Sequence, residues 1–194
     1  MKAPEAIVKA LTSHLKLTAP SLQAVYDEWP NASQVLKFPS VTLLIGEPEF
    51  IQVHNYVVGK NTTPELDGKY KYQKVNGSFD FVLKAHLWAD SKPKRHELFD
   101  LFMNVMNPSL NVSGLRLKLT NYFDEWATFD ISKVVWLDNE ESVQRSERRV
   151  VVDVLVNVRS VIETSDYLIE TIENNLETPA SIPNVADGGD TTII

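Results

Sequence analysis

The chain of 194 residues has no cysteine, so disulfides and thiolate chemistry are excluded. That absence also fits a reducing compartment. No apolar run approaches the ~20 residues that a membrane-spanning helix needs. The opening MKAPEAIVKAL lacks an apolar h-region, and no secretory signal is expected from it. Phosphate-binding and nucleophile signatures are missing: there is no GxxxxGK[ST], no GxGxxG and no GxSxG. The four histidines, His14, His54, His86 and His96, include no HExxH pair. Asp187-Gly-Gly-Asp190 lacks the spaced acidic ligands and final glutamate of a calcium loop. No catalytic residue, metal site or cofactor is therefore expected.

Basic residues are absent from one region. From Ser160 to Ile194 there are seven acidic residues and no Lys or Arg, while the other 19 acidic groups balance all 19 basic ones. The net charge of −7 thus belongs to the C-terminal part. An acidic chain of this kind disfavours tight nonspecific binding to nucleic acid.

What the sequence has in quantity is alternation. In ERRVVVDVLVNVRSVIE (147–163), Val150, Val152, Val154, Val156 and Val158 share one face of a strand. In GSFDFVLKAHLWA (77–89), Phe79, Phe81, Leu83, Ala85, Leu87 and Ala89 do the same. Two long strands with one apolar and one mixed face predict the middle of an antiparallel sheet covered on one side. Between them lies the clearest helix, 94–106, with Leu98, Leu101, Phe102, Val105 and Met106 at helical spacing and Pro93 in its first turn.

A first helix is expected over 3–17, from Ile7, Val8, Leu11 and Leu15. The segment 22–29 fits a short helix ending before Pro30. FPSVTLLIG and EFIQVHNYVV read as strands that pair as a hairpin across Gly46-Glu47-Pro48, although that is not a strong tight-turn signature. Further strands are expected at 115–119 and 128–137, and a short helix after Thr164 or Ser165, either of which suits an N-cap. From Thr178 onward there is no periodicity, and such a tail is expected to be disordered when alone.

Residues 59–76 are polar and alternate Lys69, Lys71 and Lys74 with Tyr70 and Tyr72. Alternating Lys and Tyr suits stacking on single-stranded nucleic acid. The stretch reads as a long loop or an extended hairpin arm, and a solvated arm or subunit contact is the more economical reading. Asp153, placed within a strand, calls for a partner among Arg148, Arg149 and Arg159. The four tryptophans, Trp29, Trp88, Trp126 and Trp136, are expected mostly in the core, with one or two free to anchor an interface.

The order helix, two strands, arm, long strand, helix, two strands, long strand, with FPSVTLLI, FDFVLKAHLWADS…RHELFDLF and RRVVVDVLVNVRSVIE, resembles the tail-terminator (tail-completion) proteins of tailed bacteriophages. The resemblance covers roughly residues 3–163 and rests on pattern and order. It implies an α+β domain over 1–163, mainly an antiparallel sheet with one or two helices on one face and an extended arm at 59–76, followed by an acidic C-terminal extension over 164–194. It also implies a structural virion protein of the tail or neck, without enzymatic activity, assembled in the host cytoplasm. Such subunits form a closed ring, typically a hexamer, that caps the last tube ring, stops polymerisation and meets the head-side connector. The implied partners are further copies of the chain, the tail tube protein, the head–tail connector protein and, as a further candidate, the sheath protein. DNA passes through without specific binding, and no membrane is involved. Lys69, Lys71, Tyr72, Arg145, Arg148 and Arg149 are the candidate subunit or tube contacts. Two other classes stay open: another neck or head–tail connector subunit, and a small-ligand-binding α+β protein.

Overall fold

A computed structural model describes residues 2–30, 36–60, 69–107, 114–137 and 148–166. The elements run α1 (Ala3–Thr18), β1 (Ala24–Tyr26), β2 (Ser40–Ile45), β3 (Glu49–Lys60), β4 (Tyr70–Ala89), α2 (Lys92–Met106), β5 (Leu115–Leu119), β6 (Glu125–Leu137) and β7 (Arg148–Asp166). Seven strands form one sheet in the order β1-β2-β4-β7-β6-β5, with β3 also paired to β4. All pairings are antiparallel except β1 with β2. The fold is α+β, as the alternating patterns require.

The two valine- and phenylalanine-rich stretches are partners. β4 and β7 pair from Tyr70↔Asp166 to Ala89↔Arg148, so Phe81 faces Val156, Leu83 faces Val154 and Ala85 faces Val152. Their shared face is buried throughout this region. α2 lies on it through Leu98, Phe102, Val105 and Met106, all buried. Leu101, in the same predicted stripe, is only partly buried at the rim of the core. α1 contributes Ala3, Ala6, Ile7, Leu11 and Leu15 to the same core. It packs on β1 and β2 at one end of the strand order and on β5 at the other. One helix reaches both ends only because the sheet curls around it, following the ordinary twist of strands.

Three local expectations are corrected. β2 and β3 do not pair with each other. They lie end to end along one edge of β4, β2 against Leu83–Trp88 and β3 against Tyr72–Asp80. The Gly46 N–H donates to the Val82 carbonyl at 2.9 Å, so the chain keeps to β4 through the break. Pro48, which has no N–H to donate, sits in the break itself. The segment 22–29 holds a short strand, β1, parallel to β2, because the free edge of β2 offers Val25 a place that a lone helical turn does not. Finally, β7 runs on to Asp166: Thr164 and Ser165 pair with Tyr72 and Lys71 and cap no helix. The rest of that expected helix and the tail from Thr178 lie outside the described residues.

This packing separates two substitutions in one core. Phe81→Ala, at a fully buried site, is expected to lower unfolding free energy by about 3–5 kcal/mol. Leu101→Ala should cost less, below about 2 kcal/mol, because part of its surface already meets water. Chemical denaturation of both variants checks the order.

Candidate functional site

β4 and β7 are longer than the body they cross. β6 accompanies β7 only up to Val158, and β2 accompanies β4 only from Leu83 on. Past those points β3, Tyr70–Asp80 of β4 and Arg159–Asp166 of β7 continue as a three-stranded ribbon. Beyond Val158 the overhang of β7 has eight residues, about 26 Å at strand rise. Tyr70, Lys71, Tyr72 and Lys74 of the expected loop or arm lie in this ribbon. The stretch 61–68 of that expected arm is outside the described residues.

The ribbon carries an apolar surface that the body leaves bare. Phe50, Ile51, Val53, Tyr56, Val57 and Val58 of β3 are all exposed, between 41% and 54% of their surface, and Ile162 of β7 is 44% exposed. Adjacent residues such as Phe50 and Ile51 point to opposite faces, so both faces of β3 are apolar there. Among the described residues β4 is the one strand paired with β3. A long, apolar, unpaired edge is a template for association with another chain. The sequence signal for it was EFIQVHNYVV itself, which has no consistent polar face.

At its root the ribbon joins the core through an aromatic row. Phe50 lies 5.4 Å from Phe79, and Phe79 6.0 Å from Phe81, ring to ring. The Phe50 ring rests on Gly77, where an added Cβ would come within 2.6 Å of it. A register irregularity between Val75 and Gly77 of β4 falls at the same level.

The sequence-predicted contact residues separate into two groups. Lys71 and Tyr72 lie near the ribbon tip, opposite Ser165 and Thr164, and Lys69 immediately precedes β4. Arg148 and Arg149 lie at the other end of β7, opposite Ala89 and Trp88. Lys71 and Trp88 are seventeen residues apart on β4, on the order of 55 Å of strand. The structure does not bring these two groups together. Arg145 is outside the described residues.

Arg149 belongs to a cluster on the face of the sheet opposite the helices. Its guanidinium lies 4.9 Å from the Trp88 ring centre and 6.0 Å from that of Trp29. Trp29 lies 4.7 Å from the His86 ring, and Trp88 Nε1–H donates to Thr42 Oγ1 at 3.2 Å. The tryptophans depart from the core expectation. Trp88 is buried, but Trp29, Trp126 and Trp136 are 48%, 49% and 38% exposed. Trp136 lies along α2, under Arg95 at 4.8 Å and beside Phe99 at 5.1 Å. Trp126 lies under Arg116 at 5.6 Å. These three sit at sheet margins, where a large ring can pack on one side only. Asp153 lies opposite Lys84 in the register, and Arg159, one of its candidate partners, instead holds Glu125.

His86 is buried, and its imidazole is held at a pKa of about 4, first by burial, then by Arg149 and Lys84, with Asp153 opposing. The folded protein therefore keeps it neutral where the unfolded chain, near 6.5, would protonate it. Its stabilising contribution is complete above pH about 6.5 and is lost as pH falls toward 4.

Between α1 and the end of β2 runs a partly open groove of ≈ 420 Å³, lined by Pro4, Glu5, Val8, Lys9, Thr12, Asp27 and Ile45. Its lining is mainly apolar stems with Glu5, Lys9 and Asp27 at hand, which suits a weak apolar contact. Among the described residues no three His, Cys, Asp or Glu side chains are grouped to hold a metal ion, and no helix is long and apolar enough to cross a membrane.

No family model matches the chain, and no curated protein does. Among solved structures, a chain of the virion of a native gene transfer agent (GTA) particle is similar, with 16% identity over 80% of this chain and 96% of its own, at a TM-score of 0.47. At that identity and score the likeness is too remote to bear on function.

A pH series tests the His86 environment. Between pH 7 and 4 the wild type should lose roughly 2–3 kcal/mol more unfolding free energy than His86→Phe, whose ring fills the site without titrating. Urea denaturation of both proteins at three pH values measures the difference.

Proposed function

We propose that the chain is a structural subunit of a phage-type virion that assembles into a closed ring and serves as tail terminator. The ring caps the tail tube, ends its polymerisation and joins the tail to the head-side connector. The observation that carries the assembly reading is the bare apolar edge of β3 on a ribbon projecting from a well-packed body. Such an edge is a template for association, and a second copy of the chain covers it without further partners. The terminator role itself rests on the residue order shared with tail-completion proteins.

A closed ring is a head-to-tail assembly, in which two different patches of one subunit meet. Two separated patches are at hand: the ribbon, with Lys69, Lys71 and Tyr72 toward its tip, and the Trp29–Trp88–Arg149 cluster at the other end of β4. In this reading the ribbon seats on the adjacent subunit, and Arg148, Arg149 and Arg145 contribute to subunit or tube contacts. The acidic segment 164–194 docks on a neighbouring protein or faces the DNA passage. Screening confines its repulsion of phosphate to about 8–10 Å at physiological salt. A different neck or connector subunit is the second reading. The same ribbon favours it equally, and the neighbour captured would separate the two.

Val53→Lys combined with Val57→Lys places charge on exposed positions of the edge, so the fold should persist while the ring is lost. Native mass spectrometry should show a ring for the wild type and a folded monomer for the variant. A wild type that stays monomeric at all concentrations, and is absent from assembled particles, counts against the reading. Charge reversal at Arg148 and Arg149 should weaken assembly and leave the fold intact. Deleting residues 178–194 should leave the ring but impair joining to the tube or connector, seen as fewer complete particles by electron microscopy.

A further inference from the structure

The ribbon loses the support of β6 at Val158, yet it is fastened again one turn of pleat further on. The fastener is the short connection between β5 and β6, closed by Leu119↔Glu125. Tyr122, in its middle, and Glu125, at its β6 end, both reach β7 beyond the last β6 pair. Glu125, 5% exposed, accepts from Arg159 Nε at 2.6 Å and from Nη2 at 3.0 Å. The Val161 N–H donates to the Tyr122 hydroxyl at 3.3 Å. Burial pushes that hydroxyl above its usual pKa, so it stays a neutral acceptor. Tyr56 of β3 and Glu125 both raise the Arg159 pKa and keep the guanidinium protonated. One connection thus grips β7 at two points at the root of the ribbon.

The connection is built under strain. Phe123 and Asp124 both have left-handed backbones, φ 50° and 55°, and neither is glycine. Such residues are strained, and the geometry persists when its surroundings over-determine it. Here the surroundings are the two-point grip on β7. The grip lies level with the Val75/Gly77 irregularity, where Gly77↔Ser160 and Val75↔Val161 are the pairs. An interrupted ladder next to a strained turn is where a ribbon would swing if it were not held.

We propose that Tyr122, Glu125 and Arg159 are positioning residues that form a bracket fixing the direction of the ribbon relative to the body. This rests on the ring reading only for its consequence. A ring closes when every subunit presents its two patches at one angle, so a ribbon free to swing would give open or mixed oligomers. The bracket itself is a property of the single chain.

Two mild variants of the full-length protein test it. Glu125→Gln keeps the shape of the side chain and removes the charge, and Tyr122→Phe removes one acceptor. Hydrogen exchange at low protein concentration, where subunits are apart, reads the bracket alone. Amides of 49–58, 70–76 and 160–164 should exchange about tenfold faster in Glu125→Gln, and by a smaller factor in Tyr122→Phe, while those of 81–88 and 150–156 keep their protection. Equal protection of the ribbon in wild type and both variants overturns the bracket. So does a uniform loss across ribbon and body, which would make these residues general stabilisers. Native mass spectrometry at high concentration reads the consequence: Glu125→Gln should give a broadened set of oligomers where wild type gives one. A wild type without rings defeats the ring reading and leaves the exchange result to decide the bracket by itself.

Discussion

The structure depends on one pairing, that of β4 with β7. Its register aligns Phe81, Leu83, Ala85 and Leu87 with Val156, Val154, Val152 and Val150 on a single face. A slip of one residue would turn both rows to solvent, so alternation fixes register as firmly as it fixes burial. Everything else attaches to this pair. α2 covers its apolar face, β2 and β3 share its one edge, and β6 with β5 extends the other. The pair also exceeds the body in length, and the ribbon is that excess.

What was legible in the sequence follows from this. Strict period two in 150–158 and 79–89, and period 3.6 in 98–106, reported burial on one side, and those elements stand where the patterns put them. The patterns fail where no face is buried. Glu49–Val58 shows no alternation because every described side chain in it is exposed. The β2–β3 hairpin misled for a different reason: adjacency in sequence suggested mutual pairing, but the longer β4 had edge enough for both. β1 is three residues long and owes its strand form to the neighbouring edge, a tertiary cause that local propensity cannot carry. The tryptophans misled through size. A ring that packs on one side at a sheet margin is apolar in composition and half-exposed in place.

The candidate site was half legible. Lys69, Lys71 and Tyr72 lie toward the ribbon tip, but their alternation says nothing of the apolar edge on β3, which is the larger feature. Glu125 and Arg159 are 34 residues apart. Nothing in the spacing links them, and only the end of β6 at the level of Arg159 brings them together. Arg159 was instead a candidate partner for Asp153, six residues away along the same strand. A charge pair at a strand end is set by where neighbouring strands stop, and a single sequence encodes that only through the turn between them.

Body and ribbon differ in what holds them. The body buries a continuous apolar cluster and is stable through its own packing. The ribbon has Val75, Ser160 and Val161 buried at its root, the aromatic row from Phe50 to Phe81, and the bracket, while its outer edge faces water. A segment of this kind sits at the low end of local stability. Covering β3 by a second chain would therefore stabilise the ribbon first, and by mass action the gain grows with protein concentration. In the ring reading the β3 edge must be presented without collapsing onto the body or pairing at random. A charged grip at the root does this without covering the apolar surface that assembly would use. The buried Glu125 is costly to place unless Arg159 meets it, so the geometry in which both bonds form is strongly preferred over neighbouring ones. Directional preference of that kind is what apolar contact, which has no preferred angle, cannot supply.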